Sequence, residues 1–245
     1  MFLTNKNSIL EALRSSRTVH TVQVHRGAKK DKRLQEIIGL CEEKSVGLEF
    51  REIGIMKRGT GSSRPVVVAQ CEEIKYAELE EILKNSEKAK PNFPLIVALD
   101  HVQDPGNLGA VIRSCAAADA MAIIIEKHRC CSVTDTVADT ASGGIEHLAV
   151  IQVGNLVQAL EKAKNYGWWV IGADENAEKT CIENELNFPL CLVLGAEGAG
   201  LSHLVGKKCD NVVRIPTNPK FPTLNISAAA SILIFEALRQ WRLKA

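Results

Sequence analysis

Aromatic side chains are scarce in this chain, at 4% of its 245 residues. A surface built on extensive aromatic stacking is therefore not expected. No run of 18 apolar residues occurs, so no membrane-spanning helix is expected. The opening MFLTNKNSIL lacks a basic segment followed by an apolar stretch, which gives no sign of a secretory signal. Eight cysteines are present, yet no two are spaced as C-x-x-C, and Cys130 and Cys131 are adjacent. That arrangement suits neither a disulfide framework nor a zinc knuckle. Cysteines used as small apolar residues in a reduced, cytoplasmic protein are expected instead. The six histidines show no ligand-like spacing, and no metal site is expected.

An apolar share of 46% with 24% charged residues is ordinary for a soluble globular protein with a sizeable core. The net charge of +1 is unevenly spread: residues 1–70 hold 13 Lys/Arg against 7 Asp/Glu, and the remainder 17 against 22. A basic first third beside an acidic remainder is what a polyanion-binding arm on a separate functional domain would look like. Charge alone is equally compatible with a solvated surface that has no partner.

Hydrophobic periodicity divides the chain. Residues 4–15 and 33–44 read as helices, and 18–25, 48–50 and 66–69 as strands. Two basic loops, Arg26 to Arg33 and Lys57 to Arg64, lie between them. Residues 1–72 thus form a small α/β unit, and 73–93 a linker with one amphipathic helix. From residue 94 to 245 apolar strands (95–99, 122–126, 148–152, 168–172, 190–194, 212–215) alternate with helices (108–118, 132–141, 155–166, 199–207, 226–242). That alternation argues for an α/β domain with a parallel sheet covered on both faces.

Three stretches in this second unit carry candidate chemistry. Asp100 to Arg113, DHVQDPGNLGAVIR, leaves a strand's carboxyl end through a D-P-x-N turn, with Asn107 placed to cap the next helix. Leu190 to Ser202, LCLVLGAEGAGLS, runs a buried strand into Gly195, Gly198 and Gly200 with Glu197 among them. Its G-x-x-G-x-G spacing follows a late strand and fails the dinucleotide fingerprint, and no Gly-Lys-Ser/Thr follows to make a phosphate loop. Val212 to Glu236 is a short β-branched run, a loop stiffened by Pro216, Pro219 and Pro222, then Asn225 and Ser227 at the mouth of a long apolar helix.

In this order the three stretches resemble the SpoU/TrmH branch of the SPOUT methyltransferases, whose motifs look like D-P-x-N-x-G-x-x-x-R, G-x-E-x-x-G, and I-P followed by S-L-N-V-S. Here they read Asp104-Pro105-Gly106-Asn107-Leu108-Gly109 to Arg113, Gly195-Ala196-Glu197-Gly198-Ala199-Gly200, and Ile215-Pro216 to Thr223-Leu224-Asn225-Ile226-Ser227. Thr223 stands where the family carries Ser and keeps the hydroxyl; the Pro219-Lys220-Phe221-Pro222 stretch replaces a Gly/Ser-rich loop of many relatives. The N-terminal unit is similar to the ribosomal-protein-like RNA-binding domain of the ribosomal RNA guanosine 2′-O-methyltransferases.

The resemblance implies a deep trefoil knot, where periodicity alone describes an ordinary doubly wound sheet. It implies transfer of a methyl group from S-adenosylmethionine to a ribose 2′-hydroxyl, with a guanosine of large-subunit ribosomal RNA as target; a tRNA ribose methyltransferase and a non-catalytic ribosome assembly factor are the alternatives. Gly195, Ile215 and Leu224 would contact the cofactor, and Glu197, Gly198 and Asn225 would line its pocket. Arg113, Asn107, Asn225 and Ser227 would carry the chemistry. Arg26, Lys29, Lys30, Lys57, Arg58 and Arg64 would hold RNA phosphates. A homodimer through the knot domain is expected, sharing part of the apolar stripe Ile226, Ala230, Leu233, Ile234, Ala237, Leu238 and Trp241.

Overall fold

Two sheets organise the computed structural model, which describes every residue except 30, 53–64, 90–92, 197, 199, 222 and 245. Lys30, Lys57, Arg58, Arg64 and Glu197 therefore lie outside the described residues.

The first sheet has the order β1-β4-β2-β3, from Phe2–Leu3 (β1), Val19–His25 (β2), Gly47–Arg51 (β3) and Val67–Cys71 (β4). β4 runs antiparallel to β1 and β2, and β2 is parallel to β3. Helices α1 (Lys6–Arg14) and α2 (Lys32–Glu43) pack on it, each started by a side chain that the sequence supplies. Asn5 Oδ1 accepts from Asn7 N at 2.9 Å, and Asp31 Oδ1 accepts from Leu34 N at 2.9 Å.

The second sheet has seven strands in the order β7-β6-β5-β10-β8-β11-β9. They are Leu95–Leu99 (β5), Ala122–Glu126 (β6), Ala149–Val153 (β7), Trp169–Ala173 (β8), Lys179–Thr180 (β9), Leu190–Leu194 (β10) and Asn211–Arg214 (β11), and every described pairing is parallel. Both faces are covered, which is why β5 and β10 are apolar throughout and β6 is apolar up to its last residue, Glu126. In β5, Leu95, Val97 and Leu99 enter one core while Ile96 and Ala98 enter the other. The first core lies beneath α4 (Pro105–Ala117), α5 (Asp135–Thr140) and α8 (Ile226–Lys244) and continues into the N-terminal unit. The second holds Leu79 and Leu83 of α3 (Leu79–Ala89) together with Leu156, Ala159, Leu160 and Ala163 of α6 (Leu156–Asn165).

Polar contacts lock the N-terminal unit onto α5. Asp139 accepts from the backbone N–H groups of Thr4 (2.9 Å) and Asn5 (3.0 Å), and Asp135 accepts from Phe2 N at 2.9 Å. Nearby, the buried Arg17 Nη1 donates to the buried Glu146 Oε1 at 2.8 Å. All eight cysteines are free thiols.

Three local expectations need correction. The helix expected to start near residue 108 begins at Pro105, because Asp104 rather than Asn107 is its cap: Asp104 Oδ1 accepts from Asn107 N at 2.7 Å. The helix expected over 199–207 shrinks to α7 (His203–Gly206), because Gly198 (φ +74°) and Gly200 (φ +62°) take a left-handed backbone that no helix contains. The apolar stripe of α8 is consumed at home, with Ile226, Ala230, Leu233, Ile234, Ala237 and Leu238 all buried in this chain's own core. What α8 leaves exposed is a second stripe, Ile232 and Phe235.

Candidate active site

The carboxyl ends of β8, β10 and β11 open into one cleft of about 170 Å³, where open parallel sheets place their ligands. Its walls are Asp174, Glu175 and Asn176 after β8, Gly195, Ala196, Gly198 and Gly200 after β10, and Arg214, Ile215 and Thr217 around the end of β11, with Thr223, Leu224 and Leu233 closing it. The glycine loop turns back on itself, with Gly200 N donating to Ala196 O at 3.0 Å. A Cβ at Gly195 would stand 2.1 Å from the backbone carbon and oxygen of Gly200, so no other residue fits there. Gly195, Gly198, Ile215 and Leu224 all line this cleft.

At the cleft's mouth the starts of α4 and α8 meet. Asn225 Nδ2 donates to Asn107 Oδ1 at 3.0 Å, and Asn225 Oδ1 accepts from Ser227 N at 2.9 Å. Further along, the hydroxyls of Ser114 and Ser231 are 2.8 Å apart and tie the two helices together. Gly109 permits the packing on α4's other side, because a Cβ there would lie 2.7 Å from Val137 O. Asn107, Asn225 and Ser227 are thus brought together beside the cleft.

Arg113 is not among them. Six residues beyond Asn107, it lies about 9 Å further along α4 and on a different face. It lines a second cleft, of about 500 Å³, between α4, the N-terminal unit and the 3₁₀ turn Gly144–Glu146, with Asn7, Arg14, Arg33, Ser142 and His147. Arg26 and Lys29 are exposed on the loop after β2, where Arg26 Nε donates to Phe50 O at 3.3 Å.

Sequence reading missed Asp174, Glu175, Asn176 and Thr217. The signal was present: Asp174-Glu175-Asn176 follows an apolar strand directly, as Gly195 follows β10. Asp174 is held in place by Asn176, whose backbone N donates to Asp174 Oδ1 at 2.8 Å.

Comparison with known proteins agrees with this architecture. A family model described as the SpoU rRNA Methylase family matches residues 94–235, and one described as RNA 2′-O ribose methyltransferase substrate binding matches residues 6–77. The putative TrmH family tRNA/rRNA methyltransferase YacO of Bacillus subtilis is 34% identical over 239 residues, covering 98% of this chain and 95% of that protein. The solved SpoU methyltransferase AviRb from Streptomyces viridochromogenes, in complex with AdoMet, is 24% identical, with a TM-score of 0.79 over 99% of this chain and 90% of its own. An AdoMet-bound rRNA methyltransferase from Sinorhizobium meliloti is 21% identical, with a TM-score of 0.73 over 97% of this chain and 86% of its own.

Proposed function

The chain belongs to the SpoU rRNA methylase family, and we propose that it transfers a methyl group from S-adenosylmethionine to a ribose 2′-hydroxyl of RNA, with a guanosine of large-subunit ribosomal RNA as its target. The observation that carries this reading is the cleft bounded by Gly195, Ile215 and Leu224 and flanked by the Asn107–Asn225 pair. The cleft suits an amphipathic nucleoside: Leu194, Ile215, Leu224 and Leu233 offer apolar surface, while Asp174, Asn176 and Thr217 offer polar groups. Close approach to the backbone is possible because Gly195 and Gly198 carry no side chain. Glu197, in the same loop, is assigned to that pocket too.

Bound there, S-adenosylmethionine supplies an electrophilic sulfonium methyl. The protein's task is to hold a weakly nucleophilic hydroxyl in line with it and to stabilise the oxygen as its proton leaves. Asn107 and Asn225, paired across the helix starts, position the ribose, with Ser227 fixing Asn225. An arginine stays protonated in proteins, so Arg113 serves as a clamp on a neighbouring phosphate and a stabiliser of the developing alkoxide rather than as a base.

Because Arg113 does not line its own chain's cofactor cleft, we assign it to the partner's site in a homodimer. The exposed Ile232 and Phe235 on α8, with Leu224 beside the cleft, support a dimer face there. A trefoil knot is supported by the path of the chain: β11 lies outside β8, yet α8, which follows it, returns to pack on α4.

We assign RNA capture to residues 1–72, with Arg26, Lys29, Lys30, Lys57, Arg58 and Arg64 on phosphates, methyl transfer to 94–245, and the connection to 73–93. The presence of a substrate-binding unit favours ribosomal RNA; the name of the Bacillus subtilis relative covers tRNA as well. Incubation with methyl-tritiated cofactor and separate ribosomal and transfer RNAs tests the assignment. Label confined to tRNA would shift the target, and cofactor binding without transfer to any RNA would favour an assembly factor.

A further inference from the structure

Three side chains that methyl transfer does not use converge at the carboxyl ends of β5 and β6. Asp100 follows β5 and is 1% exposed; Glu126 ends β6 and is 6% exposed; His101 is half-buried beside them. One ligand atom from each lies within 4.8 Å of the other two.

Their hydrogen bonding is incomplete. Asp100 Oδ1 contacts His101 Nδ1, and Asp100 Oδ2 accepts from Ser202 N at 2.7 Å. Glu126 Oε1 accepts from Leu156 N at 3.3 Å, but Glu126 Oε2 is buried with no hydrogen-bond partner among the described residues. No Lys or Arg forms an ion pair with either carboxylate among the described residues. A buried carboxylate with a bare oxygen is strongly disfavoured unless a positive charge reaches it. His101 also takes φ +63°, an uncommon conformation for a residue with a side chain, which persists where its surroundings over-determine it. It keeps the imidazole within ligand reach of both carboxylates.

We propose that Asp100, His101 and Glu126 bind a divalent transition-metal ion of the zinc or manganese class. Two carboxylates balance the charge of a dication, and one imidazole nitrogen favours this class over magnesium or calcium, which prefer oxygen alone. Ligand atoms around such an ion stand about 3.4 Å apart at metal–ligand distances near 2.1 Å, so side-chain rotation closes the site. The imidazole binds as its neutral tautomer, with its proton on the ring nitrogen that does not face the ion. The role is structural. Asp100 N donates to Leu194 O at 2.9 Å and Asp100 Oδ2 holds Ser202 N, so the ion braces both ends of the Gly195–Gly200 loop. Ion binding itself does not depend on the RNA-methylation reading; only its effect on the loop does.

The test uses full-length protein freed of metal by chelation. Manganese is the main probe, because eight free thiols would compete for zinc. Calorimetric titration with Mn²⁺ is expected to show one ion per chain, and electron spin-echo spectroscopy a directly bound imidazole nitrogen. Glu126→Gln and His101→Asn, the latter tolerant of a left-handed backbone, should each weaken binding by more than about 100-fold, and His101→Asn should abolish the nitrogen coupling. If Glu126→Gln does not fold, His101→Asn alone decides. Absence of stoichiometric binding to the parent protein, equal affinity for Mg²⁺, or binding unchanged by the substitutions would overturn the proposal, whatever the methyl-transfer assay shows.

Discussion

Asn225 Nδ2 donates to Asn107 Oδ1 at 3.0 Å, joining two motifs that lie 118 residues apart in the chain. The pair fixes the start of α8 against the start of α4 at the mouth of the cleft beyond β8, β10 and β11. If the two amides position the ribose as a unit, Asn107→Ala and Asn225→Ala should each lower the single-turnover rate by about 100-fold. The double variant should be little worse than either one. Strict additivity of the two losses would show that the amides act independently.

Gly195 touches the backbone of Gly200 so closely that a methyl group cannot be inserted. Gly195→Ala should therefore abolish cofactor binding by calorimetry, while far-ultraviolet circular dichroism shows the sheet intact. Wild-type affinity in that variant would place the cofactor elsewhere.

Assignment of Arg113 to the partner's site makes a mixing experiment informative. Arg113→Ala should bind cofactor normally and transfer nothing, and Gly195→Ala should do neither. Unfolded and refolded together, the two should regain about a quarter of wild-type activity, since half the dimers pair one chain of each kind and carry one complete site. No regained activity would return Arg113 to its own chain's site.

Arg17 and Glu146 form a buried ion pair that joins the N-terminal unit to the methylase domain, and Arg17 Nε also donates to Glu72 O at 2.9 Å. Removing one partner strands the other charge, so Glu146→Ala should cost about 3–5 kcal/mol of stability in denaturant titrations. A loss below about 1 kcal/mol would show that solvent reaches the pair.

Burial raises the thiol pKa of Cys41 and of Cys71 to about 11 and that of Cys209 to about 12. A raised value in the folded state means stability that is full below the unfolded thiol range and is lost as pH rises toward the folded values. Stability should fall between about pH 9 and 12, and these thiols should resist alkylation at pH 8 until the protein unfolds. Rapid labelling of native Cys41 would contradict it.

Much of this was legible in the chain itself. Apolar runs marked β5, β6 and β10 to the residue, because burial on both faces keeps polar side chains out of every position but the last of β6, Glu126. The glycine loop was legible because Gly195 admits no other side chain. The position of Arg113 was not, since spacing along α4 does not say which neighbour its face meets. Nor were β1 and β9, which have two residues each and exist only through their partners. The docking of Thr4 and Asn5 on Asp139 and the meeting of Asp100, His101 and Glu126 join groups whose proximity depends on the finished fold.

The most direct measurement is digestion to nucleosides of large-subunit ribosomal RNA treated with the protein and methyl-tritiated S-adenosylmethionine. Label is expected in 2′-O-methylguanosine, and none with Arg113→Ala. Label on a base, or equal label with Arg113→Ala, would contradict that expectation.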